Sequence, residues 1–256
     1  MNIHQQRQLL DLSISLNSLV QIREKSGAQF FDLSRFSLFA QEAGADCISL
    51  YVNESGWPSL ASDVNQLSHQ AINTFELELV VGDFIIENLM TSAVKHVCLV
   101  AANATDTSQY SVLDLENNFS QIDLFVKQLL ARGIQVSAFI SPIPEAIAAA
   151  AELSISRVRL DCSSYVDALS VRQQEHAFGQ IQAAATSGVG QGMVVGVEGK
   201  CDSVQVQALA TISDISHFHL NELVVAQSLQ CGWESAIRNI KASLVKSRLN
   251  RRANGG

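Results

Sequence analysis

Polar and ionisable side chains gather directly after several apolar runs of this chain. Asp161-Cys162-Ser163-Ser164 follows SRVRL, Glu198-Gly199-Lys200-Cys201 follows MVVGV, and Asn221-Glu222 follows DISHFHL. Asn17-Ser18 and Asn53-Glu54 stand in the same relation to LDLSISL and DCISLYV. Carboxylates with a lysine and amides in such places suit acid–base work, or capture of a small polar molecule by hydrogen bonds. Covalent catalysis is a poorer fit. No Ser/His/Asp set stands out, and neither Cys162 nor Cys201 has a histidine nearby in sequence to take the thiol proton. His217 and His219 form an H-x-H pair that a strand would present on one side, as metal ligands can be. No third ligand accompanies them, so histidines satisfied by their neighbours are expected and no metal is assigned. The chain has no H-E-x-x-H, and no G-x-G-x-x-G follows its first apolar run, so zinc-protease chemistry and a dinucleotide site have no support.

The elements that would position these groups alternate regularly. Strand-like runs fall at 10–16, 46–52, 75–81, 96–101, 134–140, 156–161, 193–198 and 214–220. Segments of helical period lie between them: Phe36, Phe39, Ala40 and Ala43 in one, and Ile122, Phe125, Val126, Leu129 and Leu130 in another. Gly44 and Gly133 follow these two as C-terminal caps would. A long final helix is expected from about Glu222 to Leu249. Eight strands alternating with helices predict an α/β chain folded as a (β/α)₈ TIM barrel with a parallel eight-stranded sheet, although periodicity alone also allows an open doubly wound sheet. In such a barrel, chemistry sits at the C-terminal ends of the strands. The polar stretches above, with Gly82-Asp83, the 101–111 segment and Ser141-Pro142, would form its rim.

Composition agrees with one domain over residues 1–256, comprising a barrel, a C-terminal helix and a short basic tail. Apolar residues make up 47% of the chain, enough for a large core, and three prolines and 14 glycines leave little room for disordered linkers. A formal charge of -8 makes nucleic acid a poor partner. The one basic cluster, Lys246, Arg248, Arg251 and Arg252, is expected to follow a helix C-terminus, where it suits the dipole. No run reaches the ~18 apolar residues of a membrane span, and MNIHQQRQLLD has no apolar stretch of the secretory kind. Five cysteines without a C-x-x-C pair do not suggest a disulfide framework, so a cytoplasmic location is expected.

QEAGADCISLYVNES (41–55), FELELVV (75–81), VKHVCLV (94–100), LLARGIQVSAFI (129–140) and SSYVDA (163–168) together resemble the pyridoxine 5′-phosphate synthase family. The resemblance runs in order, with few gaps, from about Leu10 to Leu244. It implies a barrel that condenses 1-deoxy-D-xylulose 5-phosphate with 3-amino-2-oxopropyl phosphate. The implied chemistry uses carboxylates and histidines as acids and bases, needs no metal or other cofactor, and holds two phosphate groups with loops after the late strands. Family-type surfaces also imply a homo-oligomer.

Matched residue by residue, most of that equipment is replaced. The family's N-x-D-H after the first strand is Ser15-Leu16-Asn17-Ser18, although the following arginine is matched by Arg23. Its H-x-R after the second strand, with a further histidine five residues on, becomes Tyr51, Asn53 and Pro58. The third-strand glutamate is present as Glu78. The T-T-E-G-G loop reads Ser108-Gln109-Tyr110-Ser111-Val112, and the sixth-strand glutamate is Arg159. G-H-G becomes Glu198-Gly199-Lys200, and the last G-H becomes Asn221-Glu222. Only Arg23 and Glu78 match clearly.

The replacements change the chemistry available. Ser, Tyr, Asn and Pro cannot relay protons near neutral pH as imidazole does. Glu198 and Glu222 would set negative charge where the resemblance puts phosphate, partly offset by Lys200. Like charges ~4 Å apart repel by about 4 kcal/mol at an effective dielectric of 20. Glu78 and Arg159 are expected to form an ion pair in the barrel mouth, joined by Asp161. The expected function is that of a family member with degenerate chemistry, acting as a binding, scaffold or regulatory protein for an unidentified small molecule. The alternative is an enzyme: either the synthase itself, or a barrel with new chemistry on Glu78, Arg159 and Asp161. A third reading, a structural partner of a genuine synthase, would plug the mouth with Tyr51, Trp57 and Tyr110.

Overall fold

Eight parallel strands close into a barrel in the computed structural model, which describes residues 10–27, 31–70, 74–82, 89 and 92–254. Of the expectations above, Asp83, most of the N-terminal stretch and the side chains of Arg251 and Arg252 lie outside the described residues. The chain begins with β1 (Asp11–Ser15), α1 (Asn17–Ser26), α2 (Leu33–Glu42), β2 (Cys47–Val52), α3 (Trp57–Gln70), β3 (Thr74–Val80), β4 (His96–Ala102) and β5 (Tyr110–Ser111). It continues with α4 (Phe119–Leu130), β6 (Gln135–Ile140), α5 (Pro144–Glu152), β7 (Arg157–Asp161), α6 (Ser163–Val166), α7 (Val171–Gly190), β8 (Val194–Glu198), α8 (Ser203–Leu209), β9 (Ile215–Leu220), α9 (Glu222–Cys231) and α10 (Trp233–Asn254). Around the barrel the order is β1-β2-β3-β4-β6-β7-β8-β9, and β9 returns to β1 with Asp11 opposite His217. All eight strand-like runs of the sequence become these strands. The open-sheet alternative fails because β3 pairs with β4 in register, Glu78 opposite Cys98, and closes the ring. The extra strand, β5, is a two-residue antiparallel return on β4.

Each strand alternates, and the two faces differ in chemistry. Leu12, Ile14, Ile48, Leu50, Leu77, Leu79, Leu99 and Leu160 belong to one large apolar cluster and are fully buried. They face helices such as α4, whose Ile122, Phe125, Val126 and Leu129 form a buried stripe at helical spacing. Leu130, which follows in the same pattern, is instead 39% exposed. The inward face carries Ser13, Ser49, Glu76, Glu78, Ser137, Arg159 and His219, all buried. A barrel interior is ordinarily filled by layers of branched apolar side chains. Here polar groups fill it, which is tolerable only if they bond one another.

Both sequence-predicted caps are present, with φ of 110° at Gly44 and 73° at Gly133, a region costly for residues with a Cβ. The single long final helix is corrected. It breaks at Gly232, whose φ of 84° and ψ of 156° no helix accommodates, so α9 and α10 are separate. Lys246 and Arg248 lie within α10 rather than beyond a helix end. Arg248 is 4% exposed and donates to the carbonyls of Ala210, Ile212 and Ile215, tying α10 to the turn before β9. Lys241, also on α10, donates to Leu10 O at 2.7 Å and pairs with Asp46, which fixes the start of β1. No described helix is long and apolar enough to cross a membrane.

Candidate functional site

Arg159 sits at the centre of the barrel's C-terminal half. Its Nη1 donates to Glu78 Oε1 at 2.9 Å and to Glu198 Oε2 at 3.0 Å, and its Nη2 pairs with Glu76. One guanidinium from β7 thus ties carboxylates from β3 and β8, and its side chain is only 6% exposed. The expected Glu78–Arg159 pair is present. The expected third member is not: Asp161 stands at the strand end, where its Oδ1 accepts from Ser163 N at 3.0 Å and Ser163 Oγ at 2.6 Å at the start of α6. Glu76 and Glu198 take that place.

Around Glu78 the bonds are complete. Asn17 Nδ2 donates to Oε2 at 2.9 Å, while Asn17 Oδ1 accepts from Tyr51 N at 2.7 Å. His219 Nε2 lies 2.9 Å from Glu78 Oε1, and its other ring nitrogen lies 3.0 Å from Ser13 Oγ. Ser15 is buried one layer away, and its Oγ accepts from Asn17 N at 3.2 Å. Burial favours the neutral acid at Glu78, but the His219 and Arg159 contacts outweigh it and hold the carboxyl well below the usual range. At Glu76 burial also pushes upward, and Arg159 with the Ser137 hydroxyl brings the value down to about 2. Both are therefore carboxylates at neutral pH, and a carboxylate of such low basicity is a poor general base.

A lid covers part of this mouth. The segment joining β4 to β5 crosses it and is pinned by Asn53 Nδ2 to Thr107 O at 2.7 Å and by Gln21 Nε2 to Ser108 Oγ at 3.3 Å. Behind it Tyr110 donates its hydroxyl to Glu198 Oε1 at 2.5 Å and packs on Tyr51 and Phe139, ring centroids 5.1 and 5.9 Å away. Tyr51 and Tyr110 thus plug one side. Trp57 packs instead against the apolar shell. Beside the plug a cavity of about 350 Å³ remains open, walled by Phe139, Tyr110, Asp161, Glu198, Asn221 and His219. A second hollow of about 240 Å³ on the β2 side contains Tyr51 and Asn53 and shares Asn17 and Ser108 with the first.

Among the remaining expected residues, Lys200 and Glu222 reach the large cavity as a loose pair at 3.9 Å, both exposed. Arg23 does not line either space. Its guanidinium makes two bonds to Asp63 on α3, at 3.0 and 2.7 Å. Cys162 and Cys201 are buried free thiols, and their mutual contact with burial pushes the Cys162 thiol well up, away from nucleophilic use. Among the described residues no three His, Cys, Asp or Glu side chains converge as a metal would require.

Sequence reasoning named Tyr110 as a plug of the mouth but missed its bond to Glu198, the part played by Glu76 and His219's place beside Glu78. A signal for Glu76 existed: Glu76 and Glu78 are two apart on one strand, so both point inward if either does.

The fold is shared widely. Solved structures that resemble it include a mutant tryptophan synthase alpha-subunit from the hyperthermophile Pyrococcus furiosus, with TM-score 0.59 and 12% identity over 94% of this chain and 98% of that one. The 2-keto-3-deoxy-6-phospho-gluconate aldolase of Zymomonas mobilis gives TM-score 0.58 at 8% identity over 96% and 97%. The Amycolatopsis orientalis BexX/CysO complex gives 0.56 at 15% over 95% and 91%. At such identities these show the barrel alone. In sequence, pyridoxine 5′-phosphate synthases of Legionella pneumophila strains Corby and Lens are each 26% identical over 238 residues, covering 93% of this chain and 96% of theirs. The family model described as pyridoxal phosphate biosynthesis protein PdxJ matches residues 12–246, and the chain belongs to that family.

Proposed function

We propose that this chain is a PdxJ-family barrel that does not run the synthase condensation, and that it serves as a binding, scaffold or regulatory protein for a small molecule. The reading rests on Arg159. A glutamate is expected at that position from the resemblance, and an arginine there binds Glu78, the one carboxylate that matches the family's acid–base set. The pair holds Glu78 ionised and occupied, which removes its use as a proton acceptor near neutral pH. The same arginine and Tyr110 engage Glu198, in the loop that the resemblance assigns to a phosphate. A cytoplasmic homo-oligomer that binds neither nucleic acid nor membrane completes the proposal.

A product assay tests the proposal. Folded protein is mixed with 1-deoxy-D-xylulose 5-phosphate and 3-amino-2-oxopropyl phosphate, beside a genuine synthase as control, and pyridoxine 5′-phosphate is sought by mass spectrometry. No product is expected. Turnover that disappears in Glu78→Gln would overturn the reading.

A further inference from the structure

We infer that Cys162 and Cys201 form a reversible dithiol site, which a small peroxide oxidises to an intrachain disulfide that fastens together the segments following β7 and β8. The inference lies outside the proposed function, because neither thiol belongs to the carboxylate network of the mouth. The other three cysteines are placed differently. Cys47 on β2 and Cys98 on β4 lie on strands that are not neighbours, and Cys231 is exposed on α9.

The backbone brings the pair together. β7 and β8 are neighbouring parallel strands, with Asp161 opposite Glu198. Cys162 comes next after Asp161, and its N–H donates to Glu198 O at 2.9 Å. The segment after β8 then lies directly on it. A Cβ at Gly199 would stand 3.0 Å from Cys162 Cβ and 3.5 Å from its Cα, so only a glycine allows the approach. Two residues on, the Cys201 side chain meets the Cys162 thiol. Both sulfurs belong to the same buried cluster, with Cys162 at 0% and Cys201 at 5% exposure. A disulfide requires Cα atoms roughly 4.4–6.8 Å apart, which two backbones pressed together in this way can supply.

The residues on either side of each thiol give access and consequence. Asp161 and Ser163 flank Cys162, Gly199 and Lys200 precede Cys201, and all four line the cavity of about 350 Å³. Hydrogen peroxide is small enough to enter such a space and reach the pair from behind its wall. The Cys201 sulfur attacks one peroxide oxygen, the O–O bond breaks, and the thiol proton leaves with the other oxygen as water. The Cys162 sulfur then attacks the Cys201 sulfenic acid. The S–O bond breaks as the S–S bond forms, and the Cys162 proton leaves with the hydroxyl as a second water. Two thiols are oxidised and one peroxide is reduced. Cys201 takes the first step because Cys162 is fully enclosed, and the contact with Cys201 together with burial pushes its thiol well up. Oxidation of Cys201 removes the partner thiol that holds Cys162 protonated. Disulfides that arise in reducing compartments are usually transient and redox-sensing, and a thiol reductant reopens them. Closed, this one would join the start of α6 to the segment after β8, two walls of the cavity.

Peptide mapping of the full-length chain tests the site. Folded, reduced protein is treated with hydrogen peroxide, alkylated without reductant, digested and weighed. A cross-linked Cys162–Cys201 peptide is expected, about 2 Da lighter than its two reduced halves together, and dithiothreitol should return both thiols. The same treatment in denaturant should scatter bridges among the five cysteines. Amide exchange in 161–167 and 198–203 should be slower in the bridged protein than in the reduced one, and unchanged in β2 and β3. Dimedone, which captures sulfenic acids, should label Cys201 in Cys162→Ala and should not label Cys162 in Cys201→Ala. The wild-type map stands whether or not either variant folds. The inference is overturned if peroxide modifies Cys231 alone, or if Cys201 passes to a sulfinic acid without a bridge. It is equally overturned if folded and denatured chains give the same mixture of bridges, if dimedone labels Cys162 in Cys201→Ala, or if the bridge leaves exchange in both segments unchanged.

Discussion

At the N-terminal end of the barrel Arg157, His217, Asp11 and His96 face inward. At the C-terminal end Arg159, His219, Glu78 and Glu198 do. The residue types nearly repeat, yet the two ends are put to different use. Below, Arg157 donates to His217 at 3.1 Å, Asp11 lies 3.2 Å from the other ring nitrogen, and the remaining space is about 90 Å³. Burial and Arg157 push His217 down to about 3, so it is a neutral imidazole that donates to Asp11 and accepts from the guanidinium. Above, the guanidinium serves three carboxylates and a lidded cavity of about 350 Å³ opens beside them. The kinds of side chain do not separate a site from a structural network. The space beside them does.

The largest effect that would break this comparison is at the two arginines. Arg159→Met should cost roughly 3–5 kcal/mol in denaturant unfolding at neutral pH, because it leaves buried carboxylates without a counter-charge. The loss should shrink toward about pH 4, as those carboxylates protonate in the variant. Arg157→Met removes a guanidinium whose partner is a neutral ring, and should cost about 1 kcal/mol. Equal losses would show that the two ends are equivalent.

Acid should separate the ends next. His217 has a folded value of about 3 against an ordinary 6.5, so the unfolded chain binds the extra proton first. Its contribution is complete above about pH 6.5 and is lost as pH falls toward 3. Glu76, lowered from 4.5 to about 2, contributes above the first value and loses its part as pH falls through the second. Unfolding free energy should therefore decline in two stages, measured by denaturant titration across pH. His217→Asn should flatten only the earlier one. A single stage near pH 4 in wild type would contradict the assignment of His217 as neutral.

Smaller still is the lid. Tyr110→Phe loses one hydroxyl donor to Glu198 and should cost about 1 kcal/mol, with faster amide exchange across 103–111 and little change at the opposite end. Unchanged exchange in that segment would mean that the Gln21 and Asn53 contacts hold the lid without the tyrosine.

The barrel itself was legible because alternation and helical period are local signals. Leu12, Ile14, Leu77 and Leu79 announce an apolar outer face, and Gly44 and Gly133 announce helix ends. Cross-barrel pairing is not local. Glu76 and Arg159 lie 83 positions apart, on strands that are not neighbours, so nothing in either stretch names its partner. The Glu78–Arg159 pair became readable only because the resemblance placed both at one mouth. Asp161 was drawn into it wrongly because strand period puts it on the same face, whereas its position at the strand end favours capping Ser163. The break at Gly232 escaped because apolar spacing resumes on both sides of it, at Val224 and Ile237.

The central claim is that Glu78 is ionised and held by Arg159 and His219. Carbon-13 NMR of side-chain-labelled glutamate measures this most directly, with the Glu78 carboxyl signal assigned by its absence in Glu78→Gln. From about pH 8 down to about 4, where an ordinary glutamate is half protonated, that signal should not move. A midpoint inside this range, near neutrality above all, would show a carboxyl free to exchange protons with a substrate and would contradict the account.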